Sequence, residues 1–447
     1  MFSGVQRSLL VTTVTQLAAA LQTLFTTVAD ELGRRTGFVA RRSKLTGALF
    51  AQALVFGWLA NPEATLPQLA AAAALAGVSI SPQGLDQRCT EGAAVFLERL
   101  LGAAVALLIQ GQQAAIPLLA RFSAVELLDS SALVLPDALG ARWPGCGGSS
   151  PARTSAALEL HVRYDLCSGA LRGPLVSDGR THESTTPLQT APLPPGRLRV
   201  AGLGYFALAV LAAIAAAGSY FLTRMHHTTA VFTADGRRTP LLDLLGPAPS
   251  YELAVLLGCG QQLPVRLLAV RVPPEVANQR RRRLRQQARD RGRTPSAEIL
   301  AWADWTLLVT NAPTSLLTSR EAPVLLRARW QVEWLFRLWK QYGQIDASRS
   351  AKPWRVLTEV WAKLLAVLVQ HWLALTGCWQ APQRSLVKAA QVAQTQAMHL
   401  LASLATCLAQ AIADLHRSLP AACRLNPRKK RPSTYQLLLN PDLLCLG

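Results

Sequence analysis

The stretch that decides the fold is RLRVAGLGYFALAVLAAIAAAGSYFLTRM, residues 197–225. From 200 to 223 no residue is charged, and Arg197, Arg199 and Arg224 flank the run. That length and those flanks would suit a membrane-spanning helix. The punctuation inside the run argues for something else. Gly202 and Gly204 interrupt its start, and Gly218-Ser219 its end. It therefore parses as a strand (198–203), an Ala-rich helix (206–217) stopped at Gly218, and a second strand (220–225). A helix laid beneath a sheet can be apolar all round without meeting lipid, so the strand–helix–strand reading is preferred. It predicts an α/β protein with no membrane partner.

Residues 8–29 also lack charge, but Thr12, Thr13, Thr15, Gln16, Gln22, Thr23, Thr26 and Thr27 break the run. Leu10, Val14, Leu17, Leu21, Leu24 and Val28 recur at three- and four-residue steps, which is one stripe of an amphipathic helix. An export signal is rejected on that pattern. The remaining residues up to 122 read as helices, with a basic knot of Arg34, Arg35, Arg41, Arg42 and Lys44 between two of them.

Over 447 residues the net charge is +20, with half the residues hydrophobic and 16% charged. Such a chain is no disordered polyelectrolyte; it folds, and its charge suits a polyanionic partner, nucleic acid or an anionic membrane. The charge is clustered. QRRRRLRQQARDRGR (279–293) carries +7, and Arg424 with Arg428–Arg431 adds +5. Clustered base on a folded chain suits phosphate neutralisation, although a charge run is also an ordinary solvated surface. Eight scattered cysteines include no CxxC pair, so neither zinc nor disulfides are expected, and a reducing compartment fits. No phosphate-binding glycine loop, nucleophile elbow or HExxH is present.

Two features carry chemistry. Asp129 sits in AVELLDSSALV (124–134), an otherwise apolar strand, where a carboxylate needs a partner such as a divalent cation unless it caps a turn. LLRARWQVEWLFRLWK (325–340) places Arg329, Glu333, Phe336 and Lys340 on one face of a long helix, 323–342. Plain helix ion pairing, Arg329 or Arg337 with Glu333, is the simpler explanation of those charges. Trp330, Trp334 and Trp339 suggest that this helix is packed. Trp305 to Asn311 reads as a buried strand.

The run Arg329-x3-Glu333-x6-Lys340 resembles the signature of DDE transposases of the insertion-sequence-four group, whose full form begins with a Tyr where this chain has Leu326. Other landmarks follow in the family's order: Asp129-Ser-Ser with Leu135-Pro136, Tyr164-Asp165-Leu166 with Gly169, Gly204-Tyr205-Phe206, Thr310-Asn311-Ala312-Pro313, and the tail Arg428-Lys-Lys-Arg431-Pro-Ser-Thr. The resemblance implies a ribonuclease-H-like core with an inserted β-rich domain, preceded by an all-helical N-terminal region. On that plan the segments are 1–122 (helical, DNA-binding), 123–231 (core, first part), 232–305 (insertion ending in the Arg-rich run), 306–380 (core, second part) and 381–447 (helical region and basic tail).

The activity implied is cleavage and transfer of DNA strands at transposon ends by two divalent metals, Mg²⁺ or Mn²⁺, held by three carboxylates. Asp129 and Glu333 match the first and third. The second position falls on Gly202, which offers no ligand, so impaired catalysis is expected. Asp165, Asp178 and Glu183 are acids upstream of it, none at the motif position. For DNA, the resemblance assigns Arg329 and Lys340 to phosphates near the cut and Trp305 to stacking on a flipped base, although a core Trp is the simpler reading. Arg41, Arg42, Lys44, Arg281 and Arg283 are further backbone contacts. The partners implied are double-stranded inverted-repeat and target DNA and a second copy of the chain, in a bacterial cytoplasm at the nucleoid. A non-catalytic DNA-binding relic and a basic membrane protein are the alternatives.

Overall fold

The computed structural model describes residues 11–41, 43–145, 156–428 and 431–446. Arg42, Lys429, Lys430, residues 8–10 and residues 146–155, Cys146 among them, lie outside the described residues. Nine strands occur among them: β1 (Ala124–Leu135), β2 (Ala156–Asp165), β3 (Leu171–Asp178), β4 (Arg197–Ala201), β5 (Tyr220–Arg224), β6 (Val231–Phe232), β7 (Ser250–Leu257), β8 (Leu263–Arg271) and β9 (Trp305–Thr310). The protein is a mixed α/β chain of two compact units. One comprises Met1–Ile116, Ser130–Thr181 and Gln331–Arg428; the other Pro117–Asp129, His182–Trp330 and Lys429–Gly447.

In the second unit, residues 197–225 form a strand–helix–strand unit: β4, a one-turn 3₁₀ helix at Leu203–Tyr205, the helix Leu208–Ala216, and β5. Gly218 ends the helix with φ +69°, a left-handed conformation that glycine adopts without a Cβ clash. β4 pairs parallel with both β1 and β5, as strands joined by a crossover do. Antiparallel β9 follows β5, and then come β8, β7 and β6. The helix is apolar because it is a wall of the core: Leu211 and Ile214 are buried with Phe221, Leu267 and Val309. Strands β7 and β8 fall in the segment read as an insertion, yet they do not close on themselves. β8 pairs with β9 from Arg266 opposite Thr310 to Arg271 opposite Trp305, and its Leu263, Val265, Leu267 and Ala269 join the same core.

Thr310-Asn311 fastens β9 to β5. Thr310 Oγ1 donates to the Phe221 carbonyl (2.6 Å), Asn311 Oδ1 accepts from Phe221 N–H (2.8 Å), and Asn311 Nδ2 donates to the Ser219 carbonyl (2.9 Å). The motif therefore stitches the point where a parallel set meets an antiparallel one.

The first unit is mainly helical around the hairpin β2–β3. Thr13 caps the helix Val14–Thr23 reciprocally with Gln16, and Leu17 and Leu21 of the expected stripe are buried. Asp165 and Gly169 (φ +71°) make the hairpin turn, in which the Asp165 carboxylate accepts from Cys167 N–H and Ser168 N–H. The helix Pro353–Cys378 is the one helix among the described residues long and apolar enough to cross a membrane, but 89% of its apolar window is buried inside the protein. It also carries a buried ion pair: Lys363 Nζ meets Glu359 Oε1 at 2.7 Å and donates to the carbonyls of Gln344 and Ala347, which follow the Glu333 helix. Burial nevertheless holds Lys363 below the usual lysine pKa.

His371 of the same helix clamps the hairpin turn, with Nε2 2.9 Å from the Gly169 carbonyl. Burial pushes the imidazole down to about 4, although the Gly169 bond acts upward. The unfolded chain binds a proton at the ordinary histidine value near 6.5, so it takes up protons first as pH falls. Stability is expected to be full above about pH 6.5 and to decline by roughly 3 kcal/mol as pH drops towards 4, at about 1.4 kcal/mol per unit. Urea unfolding across that range should lose most of this slope in His371→Gln. An unchanged slope in the variant would contradict the assignment.

Candidate active site

Asp129, in the middle of β1, lies level with Gly202, the residue just past the end of parallel β4. Leu128 is in register with Ala201, and Asp129 and Gly202 are the residues that follow them. Adjacent strands lie about 4.8 Å apart, which makes this pair the natural place for two side chains to share a ligand. Parallel β1–β4 pairing thus positions the site, and the loss of regular pairing after Ala201 frees Gly202 to begin the 3₁₀ turn.

Arg329 is the third member. The expected helix 323–342 is broken there into Glu321–Ala328 and Trp330–Gln341, because Arg329 N–H bonds the Leu326 carbonyl three residues back. The break sends the guanidinium to Asp129, with Nη1 2.6 Å from Oδ2 and both side chains mostly buried (19% and 15% exposed). The same guanidinium faces Gly202. A Cβ built on Gly202 would meet nothing nearer than Arg329 Cζ and Nη1, both at 3.9 Å. A Cβ at 202 would therefore sit in ordinary van der Waals contact with Arg329, and glycine puts no donor there.

The oxygen chemistry of Asp129 suits a hard divalent cation. The donor count falls short, since among the described residues no three His, Cys, Asp or Glu side chains stand together as a metal-binding group.

Positive charge extends from this point. Partial desolvation, and then the Arg329 charge, hold Arg224 at the end of β5 below the usual arginine range. Arg280 is lowered in the same way, by burial and by Arg224. Arg329, Arg224 and Arg280 thus feel one another in sequence while remaining cations. In the sequence Arg224 only flanks the apolar run; its electrostatic coupling to Arg329 depends on the β5 pairing. Glu126, also passed over, is buried and bonds Arg197 Nη1 at 2.6 Å, tying β1 to β4 three residues before Asp129.

The other expected residues divide by environment. Lys340 donates to the Ala132 carbonyl (2.8 Å), and Glu333 is half-buried on the helix Trp330–Gln341. Trp339 is buried, but Trp330 and Trp334 are 55% and 52% exposed, so the packing expected of them applies to Trp339 alone. Trp305 is 7% exposed, with Tyr251 at 5.8 Å and the Arg271 guanidinium 4.5 Å over its ring. The Arg-rich run is the helix Pro274–Asp290. Its inward face carries Ala277, Arg280, Arg281 and Leu284. Accordingly Arg280 donates to the Trp305 carbonyl, and Arg281 pairs with Asp304. Arg283 is exposed, as are Arg41 and Lys44. The six cysteines described, Cys89, Cys167, Cys259, Cys378, Cys407 and Cys423, are all free thiols.

A carboxylate in β1 beside the end of a parallel strand, an arginine paired with it and a line of further arginines are what this region presents. Residues 122–369 match the transposase DDE domain, and the chain belongs to that family. It is similar to the transposase for insertion sequence element IS231F of Bacillus thuringiensis subsp. israelensis, 27% identical over 369 residues covering 76% of each chain. It is also similar to that of IS231B of subsp. berliner, 25% identical over 76% of this chain and 75% of the relative. The putative transposase InsL for IS186A of Escherichia coli K12 is 28% identical over 50% of this chain and 63% of its own length.

The geometry makes a structural prediction. Gly202→Asp sets its Cβ in ordinary van der Waals contact and gains Arg329 as a partner, so unfolding free energy should stay within about 1 kcal/mol of the parent value or rise, as ion pairs that are not fully buried contribute little. A loss of several kcal/mol in a urea melt would show that the position does not admit the side chain.

Proposed function

We propose that this DDE transposase cuts and joins DNA at the ends of a bacterial insertion sequence by phosphoryl transfer dependent on Mg²⁺ or Mn²⁺, with reduced efficiency because Gly202 replaces a carboxylate. The observation that carries the reading is that Asp129, in the middle of β1, and Gly202, just past the end of parallel β4, follow paired residues and both neighbour Arg329. Parallel β1–β4–β5 with the antiparallel hairpin β2–β3 supports a ribonuclease-H-like core. Segments 1–122, 232–305 and 381–447 are its additions. Asp129 and Glu333 would hold the metal, which when bound activates the attacking water or hydroxyl and stabilises the leaving oxygen.

The chain's own side chains prepare the DNA. Arg329 binds a phosphate near the cut once it releases Asp129, and Lys340 a second. Arg224 and Arg280 continue the line of charge towards the exposed Arg283, while Arg41, Arg42, Lys44 and Arg281 contact backbone elsewhere. Stacking of a flipped base on Trp305 requires Arg271 to leave its ring. The DNA complex is a homodimer on double-stranded inverted repeats, in the cytoplasm at the nucleoid, with no membrane step. A non-catalytic DNA-binding relic is the second reading, favoured by the missing donor at 202.

Cleavage of the element's own end DNA by the parent and by Gly202→Asp tests this. The parent should cut slowly, and Gly202→Asp faster by roughly a hundredfold, the scale of one well-placed electrostatic group. Specific binding without cutting by either protein would favour the relic. For the basic surface, Arg283→Ala should weaken DNA binding across sequences and lower the salt slope of log affinity by about 1. A slope identical to the parent's would remove Arg283 from the interface.

A further inference from the structure

We infer that the arginine-rich helix Pro274–Asp290 lies in the major groove of the transposon-end duplex and reads base edges there; this rests on the DNA-end reading proposed above. Its 17 residues span about 25 Å at 1.5 Å per residue. An α-helix with its side chains is about 10–12 Å across and the major groove about 12 Å wide, so one admits the other.

The helix is held by one face and bare on the other. β8 ends at Arg271, the next residue Val272 donates its N–H to the Asp304 carbonyl (2.8 Å), and the helix starts at Pro274. Arg280 then donates to the Trp305 carbonyl (2.9 Å) and to Thr306 Oγ1 (3.0 Å). Arg281 pairs with Asp304 and donates to the Leu300 carbonyl (3.3 Å). Gly292, with φ +63°, closes the far end, where Arg293 N–H reaches back to the Ala288 carbonyl at 2.8 Å. Two arginines thus dock the helix, which is presented as a fixed element and not as a loose basic tail. Arg280 also feels the Arg224 charge, and Arg224 that of Arg329 beside Asp129, so a duplex seated on the helix meets one line of positive charge towards the site.

The outward face has the chemistry of a base reader. At 3.6 residues per turn, Asn278, Arg282, Arg285, Gln286 and Arg289 fall within about 100° of arc, away from the inward Ala277 and Leu284. All five are exposed. Arginine matches the O6 and N7 acceptors of guanine with two hydrogen bonds, and Asn and Gln match N6 and N7 of adenine. Phosphate neutralisation by itself needs only charge, which the interleaved amides do not add. Arg282 and Arg285 stand three residues apart, and Arg285 and Arg289 four, spacings at which like charges repel. A groove walled by phosphates on both sides removes that cost. Arg283 lies off the stripe, towards one wall, where it meets backbone. The helix acids, Glu275 and Asp290, stand near its two ends. Asp290 accepts from Gln286 Nε2 at 2.8 Å, a bond that an adenine edge replaces. Asn278 Oδ1 accepts from Arg281 Nη1 (3.1 Å) and keeps a second lone pair for a base.

The test measures binding of the full-length chain to a duplex of the element's terminal inverted repeat and to one of equal composition in scrambled order. Fluorescence anisotropy over a range of salt gives both affinities and their slopes. Gln286→Ala and Arg285→Ala alter exposed side chains, and their circular dichroism should match the parent's. Each should lower the preference for the repeat by roughly tenfold, a loss that single base-pair changes in the repeat trace to one or two neighbouring positions. Gln286→Ala should keep the parent's salt slope, because it removes no charge. Arg283→Ala should instead weaken both duplexes alike. A preference equal to the parent's in Gln286→Ala and Arg285→Ala, or losses equal on the two duplexes, would overturn the inference and leave the DDE reading standing. A parent that shows no preference for the repeat would overturn end recognition by this chain, and the inference with it.

Discussion

The ion pair between Arg329 and Asp129 is the contact around which the site is arranged. It joins the middle of β1 to the break between the helices Glu321–Ala328 and Trp330–Gln341. Two side chains so nearly enclosed cannot be left singly charged: removing one partner of a buried pair costs about 3–5 kcal/mol. The arginine therefore has a defined electrostatic task, which is to neutralise Asp129. A divalent ion arriving at Asp129 performs the same task, so cation and guanidinium compete for one carboxylate. An Arg329 released in that exchange is a free cation beside Arg224, where a DNA phosphate is the natural partner.

Much of this arrangement is legible in the residues. Gly202, Gly204 and Gly218 mark the ends of β4, the turn and the helix in a run whose composition alone would suit a membrane span. The apolar run 124–134 locates β1, and the turn residues Asp165 and Gly169 locate the β2–β3 hairpin. What escapes is whatever depends on pairing between distant segments. Arg224 reads as a flanking charge until β5 is laid beside β4. Glu126 reads as one more strand residue until Arg197 is found next to it. The helix break at Arg329 has no signal in helix propensity, since Arg and its neighbours are ordinary helix formers. Trp330 and Trp334 illustrate the converse error, because tryptophan favours burial only on average and their helix buries a different face.

The competition between ion and arginine is the claim on which the account turns, and Mn²⁺ affinity of Arg329→Gln against the parent, without DNA, tests it most directly. With the guanidinium gone, Asp129 no longer has a competing cation, and the variant should bind Mn²⁺ more tightly than the parent, by roughly tenfold for each 1.4 kcal/mol of attraction removed. Affinity that is unchanged or lower in a variant with the parent's circular dichroism spectrum would show that Arg329 does not guard the metal position, and the account of the site would fail.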